Sequence, residues 1–240
     1  MTRMGWHKSL ILACAAVILI FGPSAAFAQS DAAEKLPMFG QPKLARPESL
    51  KKNDEIFIRD AVLRYGNRVA ASNALATQGW DAIRAKQPEV AMLRFNQAWL
   101  LNPKNYRAHW GFGALMSQRG QLADALGHLE TARELVDDPL QRVALLCDLG
   151  TVHSEYASRL PPDRQLERAQ HFVLANSRFA ESLENDPKHA TSWREWAMSL
   201  YEQERYAEAW VKVRQARENN AEPFPPDFLK KLAAKMPEPK

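Results

Sequence analysis

Apolar positions between residues 72 and 223 recur on two scales: every three or four residues within a segment, and about every 34 residues between segments. The stretch AMLRFNQAWLLNPKN, residues 91–105, shows the short period. Ala91, Phe95 and Ala98 share one helical face, but Met92, Trp99, Leu100 and Leu101 carry apolar surface well around the helix. Such a helix needs more than one neighbour. The same order returns in ADALGHLETARELVDDP from Ala123, VLANSRFAESLENDP from Val173 and AEAWVKVRQARENNAEP from Ala207. An alanine (Ala91, Ala125, Ala175, Ala209) is followed four positions later by Phe95, Leu129, Phe179 or Val213. Three positions further on comes Ala98, Ala132, Ser182 or Ala216, and each copy ends near Pro103, Pro139, Pro187 or Pro223. Upstream of each lies a second helical segment with a small residue at Gly79, Gly113, Gly150 or Ala197. Each unit is therefore predicted to be two helices and a turn, with small residues where helix backbones approach and proline directing the chain into the next unit.

The third unit departs from the others. Gly150 and Ala175 are 25 residues apart, against 12 for Gly79 and Ala91. The added stretch includes SRLPPDRQLERAQHF, in which Pro161-Pro162 is expected to end a lengthened first helix and Asp163 to cap the second. Leu166, Ala169, Phe172, Val173, Phe179 and Leu183 keep helical spacing, so the second helix gains turns that project beyond its neighbours. The 161–173 insertion is either a structural extension covering another part of the chain or a protrusion that docks a partner.

The flanks differ in character. Residues 29–52 hold three prolines and many charges without a period, and are expected to be an extended or disordered leader, with Met38 and Phe39 free to dock. NDEIFIRDAVLRYGN predicts a helix capped by Asn53 or Asp54, so that residues 53–71 cover the first repeat. PPDFLKKLAAKM, within 224–240, predicts a short helix whose Phe228, Leu229 and Leu232 cover the last unit.

This order of small and large residues resembles the tetratricopeptide repeat (TPR), over about residues 72–223 in units of 72–105, 106–141, 142–189 and 190–223. The resemblance implies an all-α fold: an α-solenoid of about four TPR-like helical hairpins with amino- and carboxyl-terminal capping helices. It further implies a concave groove, lined by the first helix of each unit, that receives a segment of another protein. Helical spacing places Trp80, Arg84, Arg107, Trp110, Ser117, Thr151, Arg194, Met198 and Tyr201 on that side as partner-binding candidates, with Glu155 and Glu202 nearby. The carboxylate clamp by which some members of the family hold acidic tails is absent, since the matching places hold Ala76, Trp80, Gly111, Ala144 and Asp148. With Arg84, Arg107 and Arg194 near Glu155 and Glu202 the groove is mixed in sign, and a purely acidic ligand is not favoured.

The first residues change the charge and the compartment. Arg3 and Lys8, an apolar run from Leu10 to Phe21, the break at Pro23-Ser24 and Ala26-Phe27-Ala28 have the form of an export signal cleaved near Ala28-Gln29. The mature chain is then expected to be periplasmic or secreted. The alternative is a membrane-anchored chain with an uncleaved segment, although the run is short against the roughly 20 residues of a membrane span. Beyond residue 28 there are 30 basic and 28 acidic side chains, so no large field draws nucleic acid or anionic lipid. Cys147 is then the single cysteine, and packing must supply the stability.

Motifs of catalysis are missing. There is no His-Glu-x-x-His, Cys-x-x-Cys or Gly-x-Ser-x-Gly, and no phosphate-cradling glycine loop. The histidines are scattered, with no pair three or four apart on one helix, and Cys147 and His153 lie on different helical faces. The sequence is thus expected to encode a non-catalytic protein- or peptide-binding scaffold of the cell envelope, without cofactor or metal and without nucleic acid. A structural subunit of an envelope assembly (secretion, pilus or cell-wall machinery), docking through its convex face and the insertion, is the alternative; an enzyme with an unrecognised centre is a weaker one.

Overall fold

The structure, a computed structural model, describes residues 35–239. The expected export signal lies outside the described residues. Ten α-helices follow in order: α1 Glu48–Tyr65, α2 Arg68–Arg84, α3 Pro88–Leu101, α4 Tyr106–Gln118, α5 Leu122–Leu135, α6 Pro139–Arg159, α7 Gln165–Asn185, α8 Ala190–Glu202, α9 Tyr206–Glu218 and α10 Phe228–Lys235. No strand occurs among the described residues. Helices pair as α2 with α3, α4 with α5, α6 with α7 and α8 with α9, and each hairpin packs on the next. The chain is an α-solenoid of four helical hairpins with a helix covering each end.

Local chemistry sets the helix starts and turns. Asn67, Asn105 and Asp138 accept hydrogen bonds from backbone amides of the first turns of α2, α4 and α6, while Pro88 and Pro139 open α3 and α6, where an amide hydrogen has no helical partner. Three of the four hairpins turn alike. Lys86, Gly120 and Glu204 take left-handed φ values of 56°, 74° and 59°, and the next residue's amide returns to the preceding helix: Gln87 to Ala82, Gln121 to Met116 and Arg205 to Leu200, each at 2.9 Å.

The repeated positions build the core. Ala91, Ala125, Ala175 and Ala209 are fully buried, as are Phe95, Phe179 and Val213, and Leu129 is 1% exposed. Gly79 shows why the facing helix must be small there: a Cβ on it would lie 2.5 Å from the Phe95 ring. Buried hydroxyls stitch the joints between hairpins. Ser72 Oγ donates to the Ala98 carbonyl at 2.7 Å and accepts from Asn105 Nδ2 at 2.7 Å. Ser182 Oγ donates to the Val143 carbonyl at 2.9 Å and lies 2.7 Å from Ser192 Oγ.

Two boundaries differ from expectation. The leader expected over 29–52 to be extended or disordered is folded where it is described: residues 37–40 form a 3-10 turn, and α1 begins at Glu48 instead of Asn53. Phe39 is 4% exposed. The amide of Asn96, a fully buried side chain on α3, accepts from the Phe39 amide at 3.1 Å and donates to the Leu36 carbonyl at 2.9 Å. Arg46 lies 3.9 Å from the Phe39 ring centroid and binds both Asp54 oxygens at 2.6 Å, so Asp54 serves the leader and caps no helix. In the insertion, α6 does end before Pro161-Pro162, but Asp163 does not cap α7. The turn closes through the backbone instead, from the Arg164 amide to the Pro161 carbonyl at 3.0 Å. Both helices of this hairpin have 21 residues, against 13 to 17 in the others.

Candidate functional site

The first helices of successive hairpins meet in two pairs, α2 with α4 and α6 with α8. Between α4 and α6 runs the bond from Trp110 Nε1 to Asp148 Oδ2, at 2.7 Å. The amino-terminal half of this shared face is closed by its own aromatics. Trp80 packs edge-on against Phe95 and Trp110, with centroids 5.7 and 5.1 Å away, and its Nε1 donates to the Arg107 carbonyl at 3.3 Å. Trp110 is 7% exposed. Arg84 is exposed and pairs with Asp81, Arg107 reaches Thr77 Oγ1 at 3.1 Å, and Ser117 is half-buried near the end of α4. In this half, then, the expected groove residues pack between units or pair locally.

The carboxyl-terminal half is open. A cavity of ≈ 560 Å³ lies between α6, α8 and the segment leading into α10. Met198, Tyr201, Phe228, Pro225 and Pro226 form its apolar lining, and Thr151 and Ser154 contribute hydroxyls. Carboxylates come from Glu155, Glu195, Glu202 and Asp227, and the one cation among the described lining residues is Lys231. Of the nine candidate groove residues, Thr151, Met198 and Tyr201 meet here. Arg194 sits behind the wall: it pairs with Glu195, its Nε donates to the Pro223 carbonyl at 3.3 Å, and its guanidinium lies 6.0 Å from the Phe224 ring centroid.

Burial raises the Glu195 carboxyl; Arg194 opposes this and Asp148 adds to it. Solvent reaches the Asp148 side chain, but the protein around it thins its hydration and pushes its carboxyl up to about 6, the Trp110 bond working the other way. Ser154, Glu195 and the 225–231 wall were not among the sequence candidates. Glu195, Met198 and Glu202 do stand at helical intervals of three and four on one face of α8, a signal that the sequence carries. The wall comes from α10, whose sequence points only to a cover for the last hairpin.

Two further features lie off this face. His153 on α6 and His171 on α7 bring their Nδ1 atoms to 2.9 Å, a pairing of separate helices that spacing along one helix cannot show. His153 Nε2 is 3.9 Å from Glu130 Oε1 on α5, and His153, Arg133 and Arg178 together hold the Glu130 carboxyl down at about 2 against its burial. A second cavity of ≈ 540 Å³ lies where the added turns of α7 overhang the α8–α9 turn, lined by Pro162, Ala169, Phe172, Val173 and Arg205 among others. Leu166 and Val173 on α7 are 75% and 66% exposed.

Cys147 is buried and its thiol is pushed well above the ordinary range by that burial, which suppresses the reactive thiolate. Among the described residues no three His, Cys, Asp or Glu side chains converge as a metal site. None of their helices is long and apolar enough to cross a membrane.

No family model matches the chain, and no curated protein matches it. Solved structures do. The chain is similar to the crystal structure of the APC/C hetero-tetramer Cut9-Hcn1, with 16% identity and a TM-score of 0.52 over 77% of this chain and 31% of that one. It therefore spans about a third of that relative's length. It is also similar to the crystal structure of YrrB, a TPR protein with an unusual peptide-binding site, with 19% identity and a TM-score of 0.32 over 74% of this chain and 97% of that one. At these identities the likeness is one of fold, and the fold it shares is a TPR-like α-solenoid.

Proposed function

We propose that this protein is an exported, non-catalytic scaffold of the cell envelope that holds a segment of a partner protein in the carboxyl-terminal half of its inner face. The ≈ 560 Å³ cavity between α6, α8 and α10 carries the reading. It falls within the usual range for binding cavities of about 300–1,000 Å³, and apolar and polar groups converge in it. Because packed helices form most of its walls, a partner binds without ordering them first, and affinity is not lost to that ordering. Export rests on the charged, apolar and small-residue parts of residues 1–28. A photo-crosslinking residue at Met198 in growing cells should give a discrete protein adduct that the same residue at exposed Val211 does not. Adducts at Val211 alone, or none at Met198, would overturn the reading. Export is checked by fractionation and by finding a mature amino terminus at Gln29.

A second reading has its own observation. The added turns of α7 expose Leu166 and Val173 beside the second cavity, a surface suited to a subunit contact in an envelope assembly. A crosslinking residue at Val173 that captures a partner while Met198 captures none would favour it.

A further inference from the structure

Resting on that reading, we infer that the segment held in the groove is basic, and that the cavity takes a lysine or arginine side chain flanked by apolar residues. Charge, a hydroxyl without a protein partner and the apolar floor each support this separately. Four carboxylates and one ammonium line the cavity. Glu155 and Glu195 already pair with Arg159 and Arg194, neither of which lines the cavity. Glu202 and Asp227 have no ion-pair partner among the described residues, and Lys231, one turn along α10 from Asp227, is not within ion-pair distance of it. An acidic ligand would meet these two free carboxylates with only Lys231 in its favour. A basic one finds complementary charge.

Ser154 adds a hydroxyl that no protein group among the described residues engages. It is 7% exposed and lines the cavity. Its neighbours on α6 satisfy their hydroxyls within the helix, Thr151 to the Cys147 carbonyl at 3.0 Å and Ser158 to the Ser154 carbonyl at 2.9 Å. Ser154 Oγ makes no such bond. An ammonium has three donors and a guanidinium five, and both can use a hydroxyl oxygen together with carboxylates. The methylene stem of either residue matches a floor of Met198, Tyr201 and Phe228, and the two aromatic rings favour a cation over an anion.

The test is selection of random-sequence displayed peptides on the purified protein, followed by binding of the strongest peptide, labelled, to the protein and its variants. Selected peptides should carry Lys or Arg beside an apolar residue, and changing that residue to Glu should weaken binding by roughly tenfold or more. Glu202→Lys combined with Asp227→Lys, both at exposed positions, should weaken it comparably without altering the melting temperature, and Lys231→Ala should tighten it. Both effects should shrink at high salt. Selected peptides that are acidic or uncharged, or that bind the double variant as well as the parent, would overturn the basic specificity and leave the peptide-binding reading standing. If the parent protein retains no peptide, both fall.

Discussion

The most direct test of the packing is Gly79→Ala. An alanine in a helix interior is worth up to about 1 kcal/mol over glycine, so helix propensity alone predicts stabilisation. The geometry predicts the reverse. A Cβ at Gly79 would stand 2.5, 2.7 and 2.8 Å from three atoms of the Phe95 ring. That ring is fully buried and has no room to withdraw, since the α4 backbone lies close to it at Gly111, where an added Cβ would come within 2.2 Å. Overpacking of this kind costs about 1–3 kcal/mol, which matches or exceeds the propensity gain. The net loss of up to about 2 kcal/mol should lower the melting temperature by up to roughly 8 °C for a chain of this size. Gly127→Ala on α5 is the control, since nothing lies within 4 Å of its Cβ position; it should be neutral or stabilising by up to about 1 kcal/mol. In a Phe95→Leu background the ring is gone, and Gly79→Ala should behave like the control. Urea unfolding followed by circular dichroism gives all the free energies, and the cycle should show a coupling of about 1–3 kcal/mol. If Gly79→Ala stabilises the parent protein, or costs the same in both backgrounds, then Phe95 does not fill the space between α2 and α4 and the stacking argument fails.

Other outcomes follow from single groups. Asn96→Ala removes the bonds to Leu36 and Phe39 and should cost about 1–3 kcal/mol, with amide exchange accelerating first at residues 36–40. For His128, burial, with His109 adding to it, lowers the pKa from 6.5 to about 4, while Asp124 opposes the shift. The unfolded chain therefore takes up a proton that the folded chain refuses, so stability is full above pH 6.5 and declines by up to about 3 kcal/mol as the pH falls towards 4. His128→Leu should flatten that part of the profile, leaving the same-signed contribution of buried His109; an unchanged profile from thermal melts across this range would count against the assignment. Asp138→Ala removes the acceptor for the Leu140 and Gln141 amides and should cost about 1 kcal/mol in the same melts.

Sequence periodicity reveals what each unit contributes by itself. Ala91, Phe95 and Ala98 answer to one helix and its partner, so their spacing repeats and their burial is legible from the order of residues alone. The groove is different, because its wall is assembled from groups with no common interval: Ser154 from α6, Met198 from α8 and Phe228 from a helix that repeats nothing. Only the stacking angle between hairpins decides which of their faces converge, and that angle is set by side chains throughout the core. Trp80 and Trp110 show the consequence. Their position on the first helices points to the groove, yet two large rings at adjoining units find each other and fill the space that a ligand would need. The folded leader escapes periodicity for a related reason. Its anchor, Asn96, is a polar residue next to Phe95 on a helix that is otherwise apolar on that side, and a buried amide needs partners for both its oxygen and its nitrogen. An asparagine at a core position is therefore a cue that some other backbone must arrive there. A repeat pattern discards it as noise, although in this chain it marks where residues 36–39 dock.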